Sequence, residues 1–172
     1  MAKILNILLI LKVSTTLLYI ESANTAEPLR IPLHASHISL DPTAVQDLSA
    51  LWVSRQVNCQ LVRSQGSTLV FEAAETVHFE TPLKIKIKLK DTNRFHDGSR
   101  VTAQDVAATF NHLKTSRTIL RNIFLWIRAI EVIGTNELVL TLSKPIPQFL
   151  KVLSAPNYAL FKKSFLERNC SA

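Results

Sequence analysis

The sequence predicts an α/β domain in which helices flank a mixed β-sheet. Three observations carry that expectation. Stretches of period two, such as Lys84–Lys90, alternate with stretches of helical period, such as Val106, Phe110 and Leu113. Turn and helix-cap residues separate these stretches at short intervals. The chain has 172 residues and is 47% hydrophobic, enough to bury one modest core and too little for two large domains. With 3 glycines and no Gly- or Ser-rich tract, no flexible linker divides it, and no internal repeat is visible.

The N-terminus stands apart. Lys3 precedes an apolar run from Ile4 to Ile20, and Glu21-Ser22-Ala23-Asn24-Thr25-Ala26 follows, the order of an export signal cleaved after Ala26. Lys12 interrupts the run, and Asn24 fits poorly three residues before that cleavage point. An uncleaved membrane anchor is the competing reading. A run split by a lysine is short for spanning roughly 30 Å of hydrocarbon, so the signal is preferred. Residues 1–26 are then a signal peptide, and residues 27–172 form the exported domain. Losing Lys3, Lys12 and Glu21 takes 20 basic and 13 acidic side chains to 18 and 12, net +6.

That balance permits contact with nucleic acid or anionic membrane without requiring either. The densest basic stretch, Lys84-Ile85-Lys86-Ile87-Lys88-Leu89-Lys90, has period two. As a strand it places Ile85, Ile87 and Leu89 on one face and the four lysines on the other. No aromatic residues interleave to stack on bases, so nucleic acid is not an expected partner. The lysines read instead as a charged wet face that discourages edge pairing.

The remaining elements follow in order. Leu29 to His34 alternates and reads as a first strand, with Pro32 suggesting an edge. A helix is expected from Asp41-Pro42-Thr43, with Thr43 as cap, Gln46 completing a capping box, and Val45, Leu48, Trp52 and Cys59 as its apolar side. Gly66 fits a turn, and Leu69 to Ala74 is ambiguous. Val77 to Glu80 and Lys84 to Lys90 are expected to pair antiparallel across Thr81-Pro82. Phe95-His96-Asp97-Gly98 is a polar turn whose glycine can take a positive φ. It leads into Val101-Thr102-Ala103-Gln104-Asp105-Val106, a capping box with Asp105 in the usual Glu place and Val101 against Val106 as hydrophobic staple. Ile130 to Ile133 and Glu137 to Leu142 form a hairpin about Gly134-Thr135-Asn136, and Phe149 to Leu153 starts another helix.

Ser39-Leu40-Asp41-Pro42, the helix after it, the Phe95–Gly98 turn, the Val101–Val106 helix start and the Leu138–Leu142 strand before Pro145, Pro147, Phe149 and Leu150 occur together in one order. In that order the chain resembles the family 5 solute-binding proteins, the dipeptide, oligopeptide and nickel receptors of ABC importers, from about Leu29 to about Leu166. The resemblance implies part of the first lobe of a class II periplasmic-binding-protein-like fold. It also implies peptide or other small-solute binding, presentation to an ABC importer permease in the membrane, a periplasmic or extracytoplasmic location, and no covalent chemistry or cofactor. The loop from Asp41 to Gln46 then lies near the ligand cleft, and Asp41, Thr43, Val45 and Gln46 are the candidate ligand-binding residues. The family's members are longer, so the chain reads as a truncated or degenerate member, with the second lobe expected to be encoded downstream. Gln56 to Val62 and the shortened Thr81-Pro82 hairpin depart from the family pattern. A non-transport interaction module, self-associating through strand edges left unpaired, is the alternative.

The residues that invite other chemistry have simpler readings. His96 beside Asp97 is better assigned to the turn, since no nucleophile or second ligand is nearby, and His34, His37, His78 and His112 show no metal-ligand spacing. No catalytic constellation is visible. Trp52 and Trp126 could line a binding surface, although aromatics at apolar positions are more often core. Cys59 and Cys170 could pair in an exported protein, closing a loop worth about 4 to 5 kcal/mol, but Cys59 reads as a buried free thiol.

Overall fold

The computed structural model describes residues 30–32, 41–44, 47–116 and 121–169. The chain divides into two units, Met1–Leu33 and His34–Ala172. Of the first, only Arg30–Pro32 are described, and they carry no strand, so the expected first strand is absent at those positions. The export signal and its cleavage point fall outside the described residues. Among the described residues no helix is long and apolar enough to cross a membrane.

The second unit opens with a short 3-10 turn, Pro42–Ala44, and helix α1, Leu48–Val57. Strands β1, Val62–Gln65, and β2, Thr68–Phe71, pair antiparallel across Gly66, whose φ of 61° needs a residue without Cβ. A four-stranded sheet follows from β3, Ala74–Thr81, β4, Lys84–Leu89, β5, Ile127–Val132, and β6, Glu137–Leu142, in the order β3-β4-β6-β5. Every pairing among these strands is antiparallel. Helices α2, Ala103–Thr115, α3, Arg121–Phe124, α4, Phe149–Leu153, and α5, Lys163–Asn169, with a 3-10 turn at Pro156–Tyr158, complete the unit.

The period-two pattern decides which sheet face is dry. Ile85, Ile87 and Leu89 of β4 and Leu138, Leu140 and Leu142 of β6 are buried on one face. Val106, Phe110 and Leu113 of α2 pack in the same core with Phe124, Phe149 and Tyr158. Phe124 joins Phe110 at 5.2 Å and Tyr158 at 5.0 Å between ring centroids. The β4 lysines do occupy the wet face, but β4 lies inside the sheet rather than at its edge. Their role is cross-strand pairing: Lys86 meets Glu137 at 3.0 Å and Lys88 meets Glu75 at 2.9 Å.

Candidate ligand-binding site

The segment from Asp41 to Trp52 carries the predicted site residues. Asp41 Oδ1 accepts from the Thr43 amide at 2.9 Å and from Thr43 Oγ1 at 2.7 Å, closing an Asx turn. Pro42 O accepts from Asn157 Nδ2 at 3.0 Å, which ties this turn to Pro156–Tyr158. Val45 and Gln46 lie outside the described residues. Thr43 does not cap the helix: α1 begins at Leu48, with Asp47 as N-cap accepting from the Ala50 amide at 2.8 Å. Asp and Thr both favour caps, and Asp47 sits where the helical dihedrals start.

The side of α1 that faces inward also differs from the expected one. Ala50 and Ser54 are buried, and their small side chains let the helix pack against Pro156–Tyr158. Arg55 Nη2 donates to Ser64 O at 3.0 Å, while Arg63 Nη1 donates to Arg55 O at 3.1 Å, fixing α1 against β1. Leu48 and Trp52 are left 77% and 63% exposed. The predicted apolar side of this helix is therefore its outer surface, and Trp52 is not core. Cys59 also leaves the helix, two residues beyond its end, where it is half-buried with a free thiol. Burial pushes that thiol up to about 11. Cys170 lies outside the described residues.

Trp126 is half-buried against the core, with Lys144 Nζ 3.5 Å from its ring centroid. His96 Nε2 lies 2.8 Å from Val57 O at the end of α1, so it joins the turn to the helix. Lys162 Nζ donates to Asp97 Oδ2 at 2.5 Å, and Ser99 N and Oγ donate to Oδ1. The lysine, with the Ser99 donors second, holds the Asp97 carboxyl well below the usual carboxylate range. Gly98 has φ +80°, as the turn reading expects. His34 and His37 lie outside the described residues; among those described, no group of three or more His, Cys, Asp or Glu side chains could hold a metal ion.

The capping box forms as predicted, with a long-range addition. Asp105 Oδ2 accepts from Thr102 N at 2.9 Å and from Thr102 Oγ1 at 2.6 Å, and Oδ1 accepts from Lys163 N at 2.8 Å. One carboxylate thus joins the starts of α2 and α5. Beside it runs an open groove of about 740 Å³ between Ser99–Asp105, Val132–Thr135 and Lys162–Glu167. Sequence offers no signal for it, because its walls come from segments far apart along the chain.

The fold and its site can now be set beside known proteins. The family model described as bacterial extracellular solute-binding proteins, family 5 Middle, matches residues 69–169, more than half of the chain. No curated protein matches the chain. Among solved structures, the PBP AgaA of A. tumefaciens R10 in complex with agropinic acid is 24% identical with a TM-score of 0.72 over 77% of this chain. The Escherichia coli murein tripeptide binding protein MppA is 20% identical with a TM-score of 0.67 over 76% of this chain. NikZ of Campylobacter jejuni, in complex with Ni(L-His), is 25% identical with a TM-score of 0.64 over 74%. The chain spans 28%, 30% and 26% of the lengths of these three. Sequence match and fold agree: this chain belongs to the family 5 bacterial extracellular solute-binding proteins.

Proposed function

We propose that this chain recognises a peptide or other small solute outside the cytoplasmic membrane for uptake through an ABC importer, with the Asp41–Trp52 segment facing the solute. The observation that supports this reading is the exposed pair Leu48 and Trp52 on α1, which follows the Asp41–Thr43 turn in the chain and packs, as that turn does, against Pro156–Tyr158. An apolar ridge beside fixed polar atoms suits a ligand with an apolar side chain and a polar backbone. Asp41, Thr43, Val45 and Gln46 are proposed as its polar and flanking contacts. The ridge is open to water, so the 172-residue chain alone is expected to bind weakly, with Kd in the tens of micromolar or above.

Calorimetry with di- to pentapeptides and with nickel tests the proposal. Peptide binding that falls at least fivefold in Trp52→Ala and Leu48→Ala supports it, and binding indifferent to both substitutions counts against it. The alternative, an interaction module joined through strand edges, receives less support. Edge strand β3 carries Glu75 and Glu80 and is irregular near both ends, devices that blunt edge pairing. Light scattering on the purified chain separates the readings, since a dimer at tens of micromolar favours the second.

A further inference from the structure

The open groove at the start of α2 has a chemistry of its own. Its floor is formed by Thr102, Gln104 and Asp105. Ala103 N donates to Thr135 O at 2.7 Å, which pins the β5–β6 hairpin along one side, and Lys163 N donates to Asp105 Oδ1 at 2.8 Å, which pins α5 along the other. Val132 and Ile133 of the hairpin line the groove and are left 38% and 59% exposed. Arg100, two residues before the floor, joins the lining. A smaller hollow of about 310 Å³ shares Val132 and Lys163 with the groove and extends it along α2 past Ala107 and Ala108. Backbone bonds fix both sides before anything enters, which lowers the ordering cost of a ligand. The groove's volume of about 740 Å³ lies within the roughly 300–1,000 Å³ of sites that take a whole small molecule.

The charges along the lining leave one cation over. Lys162 Nζ is taken by Asp97 Oδ2 at 2.5 Å. Lys163 Nζ donates to Gln104 Oε1 at 3.0 Å and lies 3.7 Å from Glu167 Oε1. Asp105 is 6% exposed, and its carboxylate is engaged by the Thr102 amide and hydroxyl and the Lys163 amide. Arg100 is exposed, and its guanidinium has no ion-pair or hydrogen-bond partner among the described residues. Thr102 and Asp105 already cap α2, so the donor on offer is this side chain rather than the helix end. Its planar fork matches a carboxylate. We propose that the groove binds a small monocarboxylate with an aliphatic body. The carboxylate meets Arg100, and the body lies on Val132 and Ile133 and runs on past Ala107 and Ala108. One unpartnered cation calls for one negative charge, and exposed aliphatic walls call for hydrocarbon rather than a sugar. The site uses no residue of the Asp41–Trp52 segment and stands without the solute-binding proposal.

Octanoate is the probe, titrated into the isotope-labelled 172-residue chain while the amide shifts of Ile133, Gly134 and Ser164 are followed. It is expected to saturate those shifts and to bind at least fivefold more tightly than octanol, which lacks the charge, or acetate, which lacks the body. Arg100→Ala is expected to weaken octanoate binding at least fivefold, and Ile133→Ser to weaken it as well. Lys151→Ala, an exposed change outside the groove, is expected to leave it unaltered. Should Arg100→Ala unfold, Arg100→Gln, which keeps the length of the side chain without the charge, carries the same test. Octanol binding as tightly as octanoate overturns the proposal, as does the absence of saturable shifts or native affinity in both Arg100→Ala and Ile133→Ser. Octanoate binding that is lost in Trp52→Ala but intact in Arg100→Ala overturns it too, while leaving the Asp41–Trp52 proposal standing.

Discussion

Replacing Asp105 by alanine tests the account of how this unit is held together. The residue is 6% exposed and its carboxylate accepts three hydrogen bonds, from Thr102 N, Thr102 Oγ1 and Lys163 N. A lost helix cap costs about 1 kcal/mol, and each bond to a charged acceptor about 1.5–3 kcal/mol where the orphaned donor stays dry. Thr102 is half-exposed and water can partly replace the carboxylate there, so the net loss is about 3–4 kcal/mol. Thr102→Ala, which removes the hydroxyl partner alone, should cost about 1 kcal/mol. Asp105→Asn keeps one carbonyl acceptor and should fall between. Circular dichroism melts then rank the three, with Asp105→Ala lowering Tm by about 10–15 °C. If Asp105→Ala and Thr102→Ala melt within a few degrees of each other, the bond to Lys163 carries no weight. The tie between α2 and α5 would then be a packing contact alone.

Three further outcomes follow from the same structure. Gly98→Ala should destabilise by about 1 kcal/mol in thermal melts, because φ +80° strains any L side chain although a Cβ there would meet nothing within 4 Å. The Cys59 thiol, raised from 9.0 to about 11, stabilises the fold fully below pH 9, and that contribution fades as pH rises from 9 to 11. Urea titrations across that window should show the loss in the native chain and a smaller one in Cys59→Ala. Trp52→Ser should change stability by no more than about 0.5 kcal/mol, since the ring is already in water; a loss above 2 kcal/mol would show that it is packed.

What the sequence made legible was local. The Thr102–Asp105 box, the alternation of β4, the Gly98 turn and the β5–β6 hairpin each depend on residues within a few positions of one another, and all formed. The contacts that close the unit are of another kind. Lys163 N reaches Asp105 across 58 residues, and Gln60 Nε2 reaches Ala155 O at 2.5 Å across 95. Neither partner advertises the other. Position in the sheet was equally hidden: the lysines of β4 look the same whether they guard an edge or pair across an interior strand, and only the observed order decides. At the candidate site the sequence reads Thr43 as the helix cap, whereas Thr43 closes a turn with Asp41 and Asp47 takes the cap. The spacing of Val45, Leu48, Trp52 and Cys59 points to the apolar side as the inner one, and the structure buries the small side, Ala50 and Ser54, instead, a choice that spacing alone does not reveal.

The physical interest of α1 lies in that choice. Burying a leucine or a larger aromatic side chain contributes about 1.5–3 kcal/mol, so a helix free to rotate would put Leu48 and Trp52 against the core. It is not free to rotate. Asp47 fixes where it starts, the Arg55 and Arg63 bonds to backbone carbonyls fix its angle, and Ala50 and Ser54 allow a close approach that bulkier side chains would block. Five separate residues thus hold an apolar ridge in water at a cost the rest of the core must offset. A surface maintained in that way is better explained by something that covers it than by accident of packing. The Asp41–Thr43 turn, itself tied down through Pro42 and Asn157, holds fixed polar atoms a few residues before the ridge in the chain. The proposed solute, with an apolar side chain and a polar backbone, would use both, which is why the segment from Asp41 to Trp52 is the first place to mutate.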